Sequence, residues 1–128
     1  MYIIDDDEVS AFLTEAMLAT EHFARKYESF RNPGKALQCL LPLLQQNEHH
    51  KIPDVIFLDL NMPCMDGWEF LDALSLHAPS IKSCSLLYVL TSSVDFHDVR
   101  RAQKYDFLAG FLQKPLEEET IRNLLHKA

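Results

Sequence analysis

With 128 residues, 48% of them hydrophobic and 24% charged, the chain has the size and balance of one globular domain, which argues against disorder and fibrous repeats. A net charge of -7 and a pI near 5.2 argue against direct capture of nucleic-acid phosphates or anionic lipid. Cys39, Cys64 and Cys84 show neither CxxC spacing nor an even count, and no apolar run approaches the ~20 residues of a membrane span, so the expected setting is a reducing cytoplasm without membrane contact.

Tyr2, Ile3 and Ile4 predict a short buried strand closed by Asp5, Asp6 and Asp7. From Glu8 the apolar positions Val9, Phe12, Leu13, Ala16, Met17 and Thr20 recur at steps of three and four, which predicts a helix to about Glu21 with that stripe buried and with Asp7 as a helix-start acid. Ala24 to Phe30 reads as the second strand. Asn32 then caps a helix with Pro33 at its first position, Ala36, Leu37, Leu40, Leu41 and Leu44 form its apolar stripe, and Pro42 should kink or shorten it.

Val55 to Leu58 is a continuous apolar run, the pattern of a central parallel strand covered on both faces, and it ends on Asp59. An unpaired carboxylate there is costly, so Asp59 needs a cation, hydrogen bonds or a chemical task. Asn61, Met62, Pro63 and Gly67 then read as a shaped loop, and Asp66 with Glu69 as a capping box for a third helix to about His77 containing a partly exposed Trp68. Ala78 to Ser83 is expected to be a loop. Ser85 to Leu90 forms a strand ending at Thr91, Ser92 or Ser93 caps a fourth helix from Val94 to about Lys104, Phe107 to Leu112 forms the fifth strand, and Glu117 to Lys127 forms a fifth helix burying Ile121, Leu124 and Leu125.

Five strands alternating with five helices predict one domain over residues 1–128, without an output domain, built as a doubly wound parallel sheet. In the order 2-1-3-4-5 the first and third strands are neighbours at the switch point, where Asp5, Asp6 and Asp59 converge at the carboxyl edge. Three carboxylates there repel one another, and a hard divalent cation with oxygen ligands, magnesium above all, relieves the repulsion. With Thr91 and Lys114 at the ends of the fourth and fifth strands, the set makes a receptor for a phosphoryl group, and Asp59 is its nucleophile.

IIDDDEV, IFLDLNMPCMDGWEF, LTSS and FLQKP, in this order, resemble the receiver domains of bacterial two-component response regulators over essentially the whole chain. The resemblance implies a flavodoxin-like three-layer α/β/α sandwich. It implies that Asp59 is the phosphoacceptor, that Asp6 binds Mg2+ directly together with Asp59 and the backbone carbonyl of Asn61, and that Asp5 assists through water. Thr91 and Lys114 would contact phosphoryl oxygens, Thr91 and Phe111 would form the switch pair, the bond preceding Pro115 would be cis, and the Asn61 and Ser93 side chains would tune dephosphorylation. Phe111 lacks the hydroxyl that many relatives carry, which leaves ring rotation as its switch movement. The implied partners are a sensor histidine kinase or histidine phosphotransfer protein, and a downstream protein reached through the fourth helix, fifth strand and fifth helix. Two rival readings are an aspartyl-phosphate phosphohydrolase or phosphotransferase, for which the chain leaves no room for a substrate-selecting cap, and a phosphorylation-independent adaptor. Cys64 is read as a passive thiol and His49 and His50 as surface residues.

Overall fold

The apolar run that ends on Asp59 needs cover on both faces, and it finds that cover at the centre of a sheet. A computed structural model, which describes residues 1–20, 27–46, 48–60, 67–91, 96–114 and 116–127, has five parallel strands, β1 Tyr2–Ile4, β2 Glu28–Phe30, β3 Val55–Asp59, β4 Leu86–Thr91 and β5 Leu108–Gln113, in the order β2-β1-β3-β4-β5. All five residues of β3 are buried. Among the described residues the α-helices are α1 Glu8–Thr20, α2 Pro33–Gln45, α3 Gly67–Ser75, α4 Ala78–Cys84, α5 Phe96–Ala102 and α6 Glu118–Lys127.

Alternation along each strand sorts the core into two layers. Tyr2, Ile4, Ile56, Leu58, Leu87 and Val89 face α2, α3 and α4, where they meet Leu40, Phe70, Leu74 and Ile81. Ile3, Val55, Phe57, Tyr88 and Leu90 face α1 and α6, where they meet Ala11, Leu18, Ile121 and Leu124. The result is the expected three-layer α/β/α arrangement, with the order reversing at β1 between β2 and β3.

β5 carries an irregularity with consequences for the site. Leu87 pairs with Leu108 but Tyr88 pairs with Gly110, so Ala109 is an extra residue in the ladder. The bulge changes the parity of everything after it: Phe111 pairs with Val89 and packs into the α2/α3/α4 layer, while Leu112 packs into the α1/α6 layer. Gly110 fits beneath Tyr88 because a Cβ there would lie 3.2 Å from the ring.

The local capping follows the residues. Asn32 accepts a hydrogen bond from the Gly34 N–H at 2.7 Å with Pro33 next to it, and α2 runs through Pro42 as far as Gln45. Its buried stripe is Ala36, Leu37, Leu40 and Leu44, with Leu41 half-buried.

Several expectations require correction. Helix α1 turns a different face to the sheet: Ala11, Thr14 and Leu18 are buried, while Val9, Phe12 and Leu13 are 68%, 66% and 55% exposed. Burying Thr14 is inexpensive because its hydroxyl donates to the Ser10 carbonyl at 3.0 Å. Residues 78–84 are helical rather than a loop; Pro79 is tolerated in the first turn and Ile81 is the fully buried residue of the element. Trp68 is buried, not partly exposed, since it stacks on Tyr105 at 6.0 Å and lies under the Arg101 guanidinium at 4.6 Å. The Tyr105 hydroxyl donates to Asp72 at 2.6 Å; burial first, then that carboxylate, push the phenol up to about 12. The second strand begins at Glu28, with Tyr27 outside it and the expected start at Ala24 outside the described residues. α3 ends at Ser75, α5 at Ala102, and β5 begins one residue after Phe107.

The choice of face on α1 makes a direct prediction. Leu18→Ala should lower stability by about 2–5 kcal/mol in urea unfolding, whereas Phe12→Ala should change it by no more than about 0.5 kcal/mol. Comparable losses for the two would mean that the predicted stripe, not the observed one, is buried.

Candidate functional site

Strand parity brings the site together. Asp5 follows Ile3 by two residues, Asp59 follows Phe57 by two, and Lys114 follows Leu112 by two; all three predecessors belong to the α1/α6 layer. The three side chains therefore meet beside α1 at the carboxyl edge. Lys114 Nζ lies 2.6 Å from Asp5 Oδ2 and 3.5 Å from Asp59 Oδ2. Asp5 is 1% exposed and Asp59 7%, while Asp6 is half-buried. Carboxylate oxygens of Asp5, Asp6 and Asp59 all lie within 4.8 Å of one another.

The start of α1 organises the acid pair. Asp7 caps the helix, its Oδ1 accepting from the N–H groups of Val9 at 2.9 Å and Ser10 at 3.2 Å, and its own N–H donates to Asp5 Oδ1 at 3.0 Å. Asp7 is thus the expected helix-start acid. Both oxygens of Asp5 have protein donors, Asp7 N–H on one and Lys114 on the other. A hard cation suits this all-oxygen donor set, to which Asp5, Asp6 and Asp59 each offer a carboxylate oxygen.

Burial pushes the Asp5 carboxyl up, but the Lys114 ammonium, the Ser10 hydroxyl and the Asp7 N–H together outweigh it and hold the group below its ordinary 3.8. A group depressed in the folded state stabilises above its unfolded pKa and loses that contribution as the pH falls through the folded value. Stability from Asp5 is therefore whole above about pH 4 and drains below it. Asp5→Asn should give a shallower acid limb in urea unfolding at stepwise lower pH. An unchanged limb would refute the pairing.

Thr91, 1% exposed, closes β4, and its carbonyl accepts from the Lys114 N–H at 2.7 Å, which ties the ends of β4 and β5 together. By alternation Thr91 shares the sheet face of Val89 and Phe111, opposite that of Asp5 and Asp59. Phe111 is half-buried there. The floor formed by Asp6, Asp59 and Lys114 opens into a cleft of about 660 Å³ walled by Val9, Leu13, Met17 and Leu116. The front of α3 presses on the other side of the strand end: Gly67 N–H donates to the Leu60 carbonyl at 2.9 Å.

Asn61, Cys64, Asp66, Ser92, Ser93, Pro115 and the Leu125 side chain lie outside what the structure describes. Ser10 was not among the candidates, yet its Oγ lies 2.8 Å from Lys114 Nζ. Its position three residues after the Asp7 cap was the signal, since the first turn of α1 starts directly above the acidic strand end.

No helix among the described residues is long and apolar enough to cross a membrane. Residues 1–126 match the family model described as response regulator receiver domain. The chain is 26% identical over 125 residues to the probable methanogenesis regulatory protein FilR2 of Methanothrix harundinacea, covering 98% of this chain and 77% of that protein. It is 32% identical over 78 residues to the uncharacterized transcriptional regulatory protein YesN of Bacillus subtilis, covering 61% of this chain but only 20% of that protein. Among solved structures it resembles a two component response regulator from Cytophaga hutchinsonii, with 28% identity, a TM-score of 0.84, and coverage of 98% of this chain and 92% of the other. A response regulator receiver protein from Dyadobacter fermentans gives 28% identity, a TM-score of 0.82, and coverage of 98% and 94%. With the match reaching from residue 1 to residue 126 and taking in every strand end described above, this chain belongs to the response regulator receiver domain family, the switch module of two-component signalling.

Proposed function

We propose that Asp59 accepts a phosphoryl group from a phosphohistidine of a sensor kinase or phosphotransfer protein, with Mg2+ bound by Asp6, Asp59 and the Asn61 carbonyl and with Asp5 acting through water. The observation that carries this reading is Asp59 itself, a carboxylate at the end of a fully buried strand, set at the floor of an open cleft beside Asp6 and Lys114. An Asp59 oxygen attacks phosphorus in line with the donor's P–N bond, which breaks as the imidazole nitrogen keeps the electron pair. The product is an aspartyl phosphate. Lys114 moves its ammonium onto a phosphoryl oxygen, and the Thr91 hydroxyl donates to another. Bound magnesium supplies charge neutralisation between the carboxylates and the phosphoryl oxygens.

The domain catalyses only its own phosphorylation and dephosphorylation, with Asn61 and Ser93 setting the second rate. The donor protein must cover the cleft to reach Asp59, and the exposed Val9, Phe12 and Leu13 beside it offer the apolar ground for that contact. Attraction of Thr91 to the phosphate vacates space on its sheet face, and the half-buried Phe111 ring rotates into it, so that α5, β5 and α6 present a changed surface to a downstream protein. Exposed Cys39 and half-buried Cys84, both unpaired, fit a reducing cytoplasm.

Incubation with phosphoramidate and magnesium should add one phosphoryl group by intact mass, and chelation of the magnesium should prevent it. Absence of that adduct would overturn the reading. Steady turnover of small phosphate esters would favour a phosphohydrolase instead.

A further inference from the structure

Among the described residues the Lys114 ammonium has three partners at unequal range: Asp5 Oδ2 at 2.6 Å, Ser10 Oγ at 2.8 Å and Asp59 Oδ2 at 3.5 Å. The two close contacts lie on the α1 side of the site, and the long one is to the carboxylate read here as the nucleophile. The backbone of Ser10 is fixed at this point of the helix. Its N–H is held by Asp7 Oδ1 at 3.2 Å and its carbonyl accepts from the Thr14 hydroxyl at 3.0 Å, so both ends of the residue are tied. Asp7 in turn donates to Asp5 at 3.0 Å, which closes a ring through Asp5, Asp7, Ser10 and Lys114. Within the ring the Ser10 oxygen accepts from the ammonium.

We infer that Ser10 is a positioning residue for Lys114, holding the ammonium on the Asp5 side of the site so that it does not close on Asp59 before a phosphoryl group arrives. The inference rests on the phosphoacceptor reading. Without the Ser10 oxygen the ammonium loses a near acceptor and settles between the carboxylates, tightening the contact with Asp59. A carboxylate in a close ion pair is a poorer nucleophile, and the pair must then be broken before Lys114 can serve a phosphoryl oxygen. The consequence falls on the rate of the chemical step rather than on donor binding, because the Ser10 hydroxyl acts through Lys114.

Ser10→Ala should fold, since alanine is the best helix former and the site lies in the first turn of α1. With phosphoramidate and magnesium, and product quantified by intact mass, its maximal rate should fall by about 5–10-fold while the donor concentration for half-maximal rate stays unchanged. Ser10→Thr, which keeps the hydroxyl, should return to within about twofold of wild type. In a Lys114→Ala background Ser10→Ala should have no further effect, because there is no ammonium left to hold. Wild-type rates for Ser10→Ala, or an equal loss with and without Lys114, would overturn the inference, the second outcome marking a merely structural role. If the wild-type protein itself takes no phosphoryl group on Asp59, it is the phosphoacceptor reading that fails.

Discussion

Asp59→Asn should take up no phosphoryl group from phosphoramidate and magnesium, a loss of about a thousandfold or more against wild type, while remaining folded. The amide keeps the shape of the carboxylate but offers no anionic oxygen to attack phosphorus. The same replacement removes one of three acids whose oxygens lie within 4.8 Å of one another, with Lys114 the cation placed against them. Relief of that repulsion offsets the lost 3.5 Å contact to Lys114, so in metal-free buffer the urea midpoint should be no lower than wild type. Chemistry is thus lost without a loss of stability, as expected where a charge is kept for its reactivity. A phosphoryl adduct that persists in the variant would place the acceptor elsewhere.

Gly67→Ala should destabilise the domain by about 2 kcal/mol in urea unfolding and slow phosphorylation as well. Two effects compete. Alanine favours a helix over glycine by about 1 kcal/mol. Against it, a Cβ at this position would lie 2.8 Å from Leu60 Cα and 2.9 Å from the Asp59 carbonyl, and backbone cannot swing aside as a side chain can. Either α3 backs away, opening the layer in which Phe70, Leu71 and Leu74 are fully buried, or the end of β3 shifts and carries Asp59 with it. Overpacking of this kind wins over helix propensity. A more stable variant would show that the strand end yields more easily than the contacts imply.

The framework of the site was legible in the residues because each signal has a direct physical cause. A strand buried on both faces must be apolar throughout, so Val55 to Leu58 announced the centre of the sheet, and a carboxylate at the end of such a run announced a site. Asp5, Asp6 and Lys114 followed from the same strand-end reasoning, and the structure brings them together with Asp59. Trp68 was misread because its cover comes from Tyr105 and Arg101, more than thirty positions away, and no local pattern carries that contact. The helix at Ala78–Cys84 was missed because one buried residue, Ile81, makes no stripe.

By itself the sequence determined the number of the strands and their succession along the chain, the helix-start acid Asp7, the cap at Asn32, and the acids and lysine at the strand ends, because backbone propensity, capping and the cost of burying charge act on neighbours in the chain. Only the tertiary structure decided which face of α1 meets the sheet. The helix has more apolar residues than one stripe can bury, and the sheet accepts Ala11, Thr14 and Leu18 while Val9 and Leu13 are left to wall the cleft. The structure also decided the parity of β5. One extra residue at Ala109 sends Leu112 to the α1 face and Phe111 to the other, and with Leu112 goes Lys114. Had the ladder run without that bulge, the lysine would emerge on the opposite face from Asp5 and Asp59, because successive side chains alternate and register is a property of two paired strands.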